Sequence, residues 1–149
     1  MAEEVFVSWE DRYAIGIQLV DEQHQELLKL TNSLYEACRQ GDEKAREHFK
    51  DAIRTLVDYV KFHFTTEEQI MERINYPEFG IHKREHEAFV KKVLDGVKDF
   101  ESGKTFVPNT FVRFLREWVL SHIAMSDKKY ADYLLKCKKE GTLNTGGKS

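Results

Sequence analysis

Residues 49–74, FKDAIRTLVDYVKFHFTTEEQIMERI, carry the most regular pattern in the chain. Phe49, Ile53, Leu56, Val60, His63, Glu67, Ile70 and Ile74 recur at alternating steps of four and three, the period of one face of an α-helix. His63 and Glu67 therefore stand in a core row, where a helical bundle normally places leucine. Left unpaired there, a buried polar group costs roughly 2–7 kcal/mol, and a charge more.

The pattern repeats on both sides. Upstream, with Asp21 as the expected N-cap, His24, Leu27, Leu28, Thr31, Leu34, Tyr35 and Cys38 follow helical spacing, and Gln40-Gly41-Asp42 ends that helix and opens the next. Downstream, Asn75-Tyr76-Pro77 stops the second helix, because proline disfavours helical backbone at the residue before it. A third helix is expected from about Phe79 to Phe100, with His82, His86, Phe89, Val93, Val97 and Phe100 inward and Gly96 marking a close approach to a neighbour. A loop opens at Ser102-Gly103 and ends near Pro108-Asn109-Thr110. The fourth helix puts Phe111, Leu115, Trp118, His122 and Met125 on one stripe, and Tyr130–Lys139 continues it or forms a fifth piece. Residues 1–18 lack a clean period and read as an arm that lays aromatics on the rest; Asn144–Ser149 read as disordered. The fold class is all-α: an antiparallel up-down-up-down four-helix bundle (about 19–135) with an N-terminal arm, a short C-terminal helical extension and a tail at 140–149, forming a single domain over 1–149.

Composition narrows the function classes. Hydrophobic residues make up 41% and charged residues 33% of the 149, so a sizeable core is available. A net charge of −3 without a basic stripe excludes a nucleic-acid binder. No stretch approaches the ~18 uninterrupted apolar residues of a membrane span, and the N-terminus has no apolar run to make a signal peptide. Two cysteines make no disulfide framework; Cys38 is expected as a buried thiol and Cys137 as a half-exposed one. A cytoplasmic location follows from these features.

Five of the six histidines share the inward register. In an up-down-up-down bundle, the starts of helices one and three and the ends of helices two and four lie at the same end, so His24, His63, His82, His86 and His122 converge. His63/Glu67 and His82/His86 are spaced i, i+4 and chelate from one face. His122 and Asp127 are five apart, about 140° around an ideal helix, and meet one centre only if Asp127 reaches across or the helix is locally widened. Seven ligands exceed what one ion with an open position takes, and they suit two ions bridged by the carboxylates. Imidazole with carboxylate suits iron; structural zinc uses four closed ligands. The Glu-x-x-His pairs of ferritin-like di-iron proteins are missing from the core rows, and a histidine-rich set leans toward holding O2 reversibly. His48 reads as a surface residue. Glu68, Glu72, Glu85 and Glu87 read as solvated faces, Trp9 as packing for the arm, and Trp118 as core packing or a pocket wall. Tyr59, Tyr76 and Tyr130 give no signal separable from packing.

His24, His63-x-x-x-Glu67, His82-x-x-x-His86 and His122-x-x-x-x-Asp127 together resemble the full ligand pattern of the hemerythrin family, and Ser8-Trp9 with Val20-Asp-Glu-Gln-His24 resembles its bacterial single-domain members. The resemblance spans about residues 8–135. It implies two iron ions per chain, bridged by Glu67, Asp127 and a solvent-derived oxo or hydroxo group. His82, His86 and His122 would saturate one ion, and His24 and His63 would hold the other beside an open site for O2. Leu27, Trp118, Val119 and Ile123 are candidates to line an apolar pocket there. The family often has leucine three residues before the fourth-helix histidine; here the position is the smaller Val119. The leading expectation is reversible O2 binding for carriage, storage or delivery, with no catalysis. The alternatives are an O2 or redox sensor acting through a separate protein partner, a di-iron enzyme handling peroxide or nitric oxide, and a bundle with no metal role.

Overall fold

The computed structural model describes residues 6–40, 43–102 and 108–141. A short 3-10 turn (Asp11–Tyr13) leads into α1 (Gln18–Gln40), followed by α2 (Glu43–Arg73), α3 (Phe79–Ser102) and α4 (Pro108–His122); a π-turn (Ile123–Asp127) then joins α4 to α5 (Lys128–Glu140). Helical backbone at His122 and Lys128 carries α4 straight through the π-turn into α5, so the continuation expected at Tyr130–Lys139 is one rod with α4. The bundle is antiparallel, with α1 against α2 and α4, and α2 against α3. Side chains close the remaining side, where Phe89 of α3 stacks on Trp118 of α4 at 3.9 Å between ring centroids. Among the described residues no helix is long and apolar enough to cross a membrane.

The helix ends follow local chemistry, with one shift. Asp21 lies inside the first turn of α1 rather than capping it. Its carboxylate accepts the N–H groups of Ile15 (2.8 Å) and Gly16 (3.2 Å), tying the incoming chain to the helix. α2 stops where expected: Asn75 takes a positive φ of 53°, which asparagine tolerates better than most residues, and Pro77 follows. Pro108 opens α4, where a missing N–H costs nothing. The turn at Gly41-Asp42, most of the loop after Ser102 and the tail from residue 142 lie outside the described residues.

The arm packs as its aromatics suggested. Asn32 of α1 pairs with both backbone groups of Val7, at 2.9 and 2.6 Å. Phe6 stacks on Tyr35 of α1 (4.2 Å) with the Arg116 guanidinium of α4 over its other side. The arm thus staples α1 to α4. Two expectations are corrected. Cys38, near the end of α1, is only half-buried, and Cys137 is buried because the π-turn sets which face of α5 points inward. Met125, expected on the inward stripe, is 70% exposed for the same reason.

Gly96 of α3 packs against the Phe111 ring of α4. A Cβ there would lie 2.5 Å from Cε1 of the buried Phe111 ring. Gly96→Ala is therefore expected to lower the thermal midpoint: an overpacking cost of about 1–3 kcal/mol exceeds the ~1 kcal/mol helix gain of losing a glycine. Adding Phe111→Leu should recover most of the loss.

Candidate metal centre

α1 contributes His24, α2 His63 and Glu67, α3 His82 and His86, α4 His122, and the end of the π-turn Asp127. All seven side chains are buried. They form two overlapping groups able to hold a metal ion: Glu67, His82, His86, His122 and Asp127 in one, His24, His63, Glu67 and Asp127 in the other. Every histidine presents Nε2 to the interior. Asp127 Oδ1 lies 3.1 Å from both His82 and His122, while Oδ2 lies 2.9 Å from His24. Glu67 Oε1 faces His86 (3.2 Å) and His63 (3.5 Å), and Oε2 faces His24 (3.5 Å). Each carboxylate thus touches both groups. The π-turn resolves the five-residue spacing of His122 and Asp127: widening the helix by one residue brings both to one side.

The donor chemistry fits a cation. Both nitrogens of His24, both oxygens of Asp127 and Glu67 Oε1 are buried without a well-directed hydrogen bond among the described residues. Nε2 of His122 lies 3.1 Å from that of His86 and 3.0 Å from that of His82. The outer Nδ1 atoms of His86 and His122 face carboxylates, at 2.9 Å from Glu68 and 3.2 Å from Glu85. A proton held on each Nδ1 leaves inward lone pairs pointing at one another, an arrangement that a positive ion between them relieves.

Electrostatics without an ion push the groups apart. Burial opposes protonation of His24, but Asp127 and Glu67 outweigh it and raise its pKa to about 9. Burial dominates at His63 and lowers its pKa to about 4. At Glu67 and Asp127 burial favours the neutral acid, yet the surrounding histidines win and hold both carboxyls below the usual range. For Tyr130, burial and then the Glu67 and Asp127 charges put the phenol far above its ordinary value.

Beside His24, His63, His122 and Asp127 lies a cavity of about 10 Å³, otherwise walled by Leu27, Val60, Phe64, Phe89, Trp118, Val119 and Ile123. All four residues expected to line a pocket are in it. Trp118 is both packing and wall, stacked on Phe89 and, at 4.3 Å, on His122. His48, Glu72 and Glu87 are exposed, as read from the sequence. Glu68 and Glu85 are not simply solvated faces, because each backs a histidine. Tyr130 is fully buried and donates its hydroxyl to Glu67 Oε2 at 2.9 Å. Gln23 places Oε1 2.7 Å from His63 Nδ1. Of these four, only Tyr130 left a trace in the sequence: it lies three residues after Asp127, on the same helical face.

The chain matches the hemerythrin HHE cation binding domain over residues 15–134. A bacteriohemerythrin of Stenotrophomonas maltophilia (strain R551-3) is 34% identical over 124 residues, covering 83% of this chain and 78% of its own. One from Methylococcus capsulatus (strain ATCC 33009 / NCIMB 11132 / Bath) is 31% identical, covering 82% and 91%. The crystal structure of a wild-type hemerythrin aligns with a TM-score of 0.79 at 30% identity, over 85% of this chain and 96% of its own.

Two outcomes are expected of the metal-free chain. His63, with its pKa lowered to about 4, withdraws stability as pH falls from about 6.5 toward 4; His24, raised to about 9, withdraws it as pH rises from about 6.5 toward 9. Urea midpoints should therefore peak near pH 6.5, and a flat profile from pH 5 to 9 would contradict this. Tyr130→Phe strips Glu67 of its buried donor and should cost about 1–3 kcal/mol in the same denaturation assay.

Proposed function

The chain belongs to the hemerythrin family, and from that premise we propose that it binds O2 reversibly at a non-haem di-iron centre held by His24, His63, Glu67, His82, His86, His122 and Asp127. Carriage, storage or delivery of O2 is the role this supports. The observation that carries the reading is the inequality of the two groups: three histidines serve one and two serve the other, and the small, mostly apolar cavity is lined by both histidines of the poorer one but by only His122 of the richer. Two ferrous ions held there would supply the electrons for reversible O2 capture.

The chain's own residues do the rest. Glu67 and Asp127 belong to both groups and would be shared between the ions, and Tyr130 holds Glu67 in place. Phe64 stacks on His86 at 3.7 Å and Trp118 on His122, so the ring planes are set before any ion arrives. The apolar wall excludes bulk water, which suppresses irreversible side reactions. A cavity this size has room for about one water, which restricts guests to very small molecules. Apart from members of the seven, the residues that line it carry no titratable proton, which favours binding over turnover. The arm, bundle and α5 work as one domain, and two cysteines outside any disulfide suit a reducing cytoplasm.

The test is an iron count with optical spectra of the reduced protein under argon, then air, then argon. Two irons per chain and a visible band that appears in air and fades on deoxygenation are expected. A chain that passes directly to a stable oxidised spectrum acts instead as a sensor or enzyme, and one that takes no iron overturns the reading. Val119→Ala, by enlarging the cavity, should hasten oxidation in air several-fold, followed as loss of the reversible band.

A further inference from the structure

The two halves of the centre differ not only in how many histidines they hold but in what stands behind those histidines. In the half with three, His86 Nδ1 lies 2.9 Å from Glu68 Oε2 and His122 Nδ1 lies 3.2 Å from Glu85 Oε1. Glu85 is itself fixed by the Ser126 hydroxyl of the π-turn, which donates to the same oxygen at 2.7 Å. In the half with two, His63 Nδ1 meets the neutral amide oxygen of Gln23 at 2.7 Å, and His24 Nδ1 has no hydrogen-bond partner among the described residues. Gln23 is anchored in turn by Thr66, its Nε2 lying 3.3 Å from Oγ1.

A carboxylate accepting Nδ1–H draws the proton outward and makes Nε2 a stronger donor, and such charge-assisted bonds are roughly twice as strong as neutral ones. We propose that Glu68 and Glu85 are positioning residues that make the His82–His86–His122 half the tighter metal position, while Gln23 keeps the His24–His63 half weaker. Glu68 and Glu85 also add two negative charges to those that Glu67 and Asp127 set against two divalent cations. Without the outer pair, the ions would keep a large uncompensated charge in a buried site. The inference rests on the reading that the seven residues hold two ions.

The experiment is stepwise Co2+ uptake by the metal-free protein against a competing chelator, followed by its optical bands, in wild type, Glu68→Gln, Glu85→Gln and Gln23→Glu. Glutamine keeps an acceptor oxygen at the same place and removes only the charge, so a purely structural role would leave the titration unmoved. The expected result is two steps in wild type, the tighter weakened about tenfold in Glu68→Gln and in Glu85→Gln, and the weaker tightened in Gln23→Glu. In the iron-loaded protein, dye-equilibrated midpoint potentials should rise with the first two substitutions and fall with the third. Thermal melts of the metal-free variants report folding; if one variant does not fold, the other two decide. Steps that stay unchanged in the glutamine variants, or a tighter and a weaker step that fall by the same factor, overturn the proposal. A wild-type chain that takes up no Co2+ instead overturns the reading of the site itself.

Discussion

Seven polar side chains are packed where bulk water does not reach them, and this burial governs the rest of the molecule. Each is a residue type that water ordinarily stabilises, so inside the bundle each depends on the others and on a few outer partners. Asp127 and Glu67 keep their charge because histidines from several helices face them. The cluster therefore couples the helices electrostatically as well as by apolar packing, and its members are worth far less singly than together.

The bundle supplies the geometry for that coupling at little cost. Antiparallel connections bring the starts of α1 and α3 and the ends of α2 and α4 to one level, and i, i+4 spacing sets the pairs on α2 and α3. Aromatic rings then fix orientation. Phe64 lies flat against His86 with 3° between the planes, and Trp118 lies nearly as flat against His122. Away from the cluster, the arm stapled across α1 and α4 covers one side of α4, and Gly96 of α3 lets Phe111 approach on another.

The inward histidines were legible because helical periodicity states which face a residue occupies, and topology states at which end. Gln23, Glu68 and Glu85 were not. Each neighbours one of the seven in sequence or sits one turn from it, and which way such a side chain turns depends on rotamers and on the axial offset between helices, neither of which periodicity encodes. The burial of Cys137 and the exposure of Met125 share one cause: the helix gains a residue after His122, so the period of α4 does not continue unbroken into α5. The five-residue gap between His122 and Asp127 held that information, since it required either a reach across or a widening.

That widened turn places two demands in opposition. An uninterrupted α-helix between His122 and Asp127 would have better backbone hydrogen bonding, and losing one residue there would give it. The same loss would swing Asp127 away from His24 and His82, and Tyr130 away from Glu67, in a single stroke. Mutational drift toward a more regular helix is thus self-limiting in this chain: the local sequence change that regularises α4 is also the one that dismantles the settings of both shared carboxylates. Stability is surrendered at one turn so that two carboxylates can face both groups of histidines.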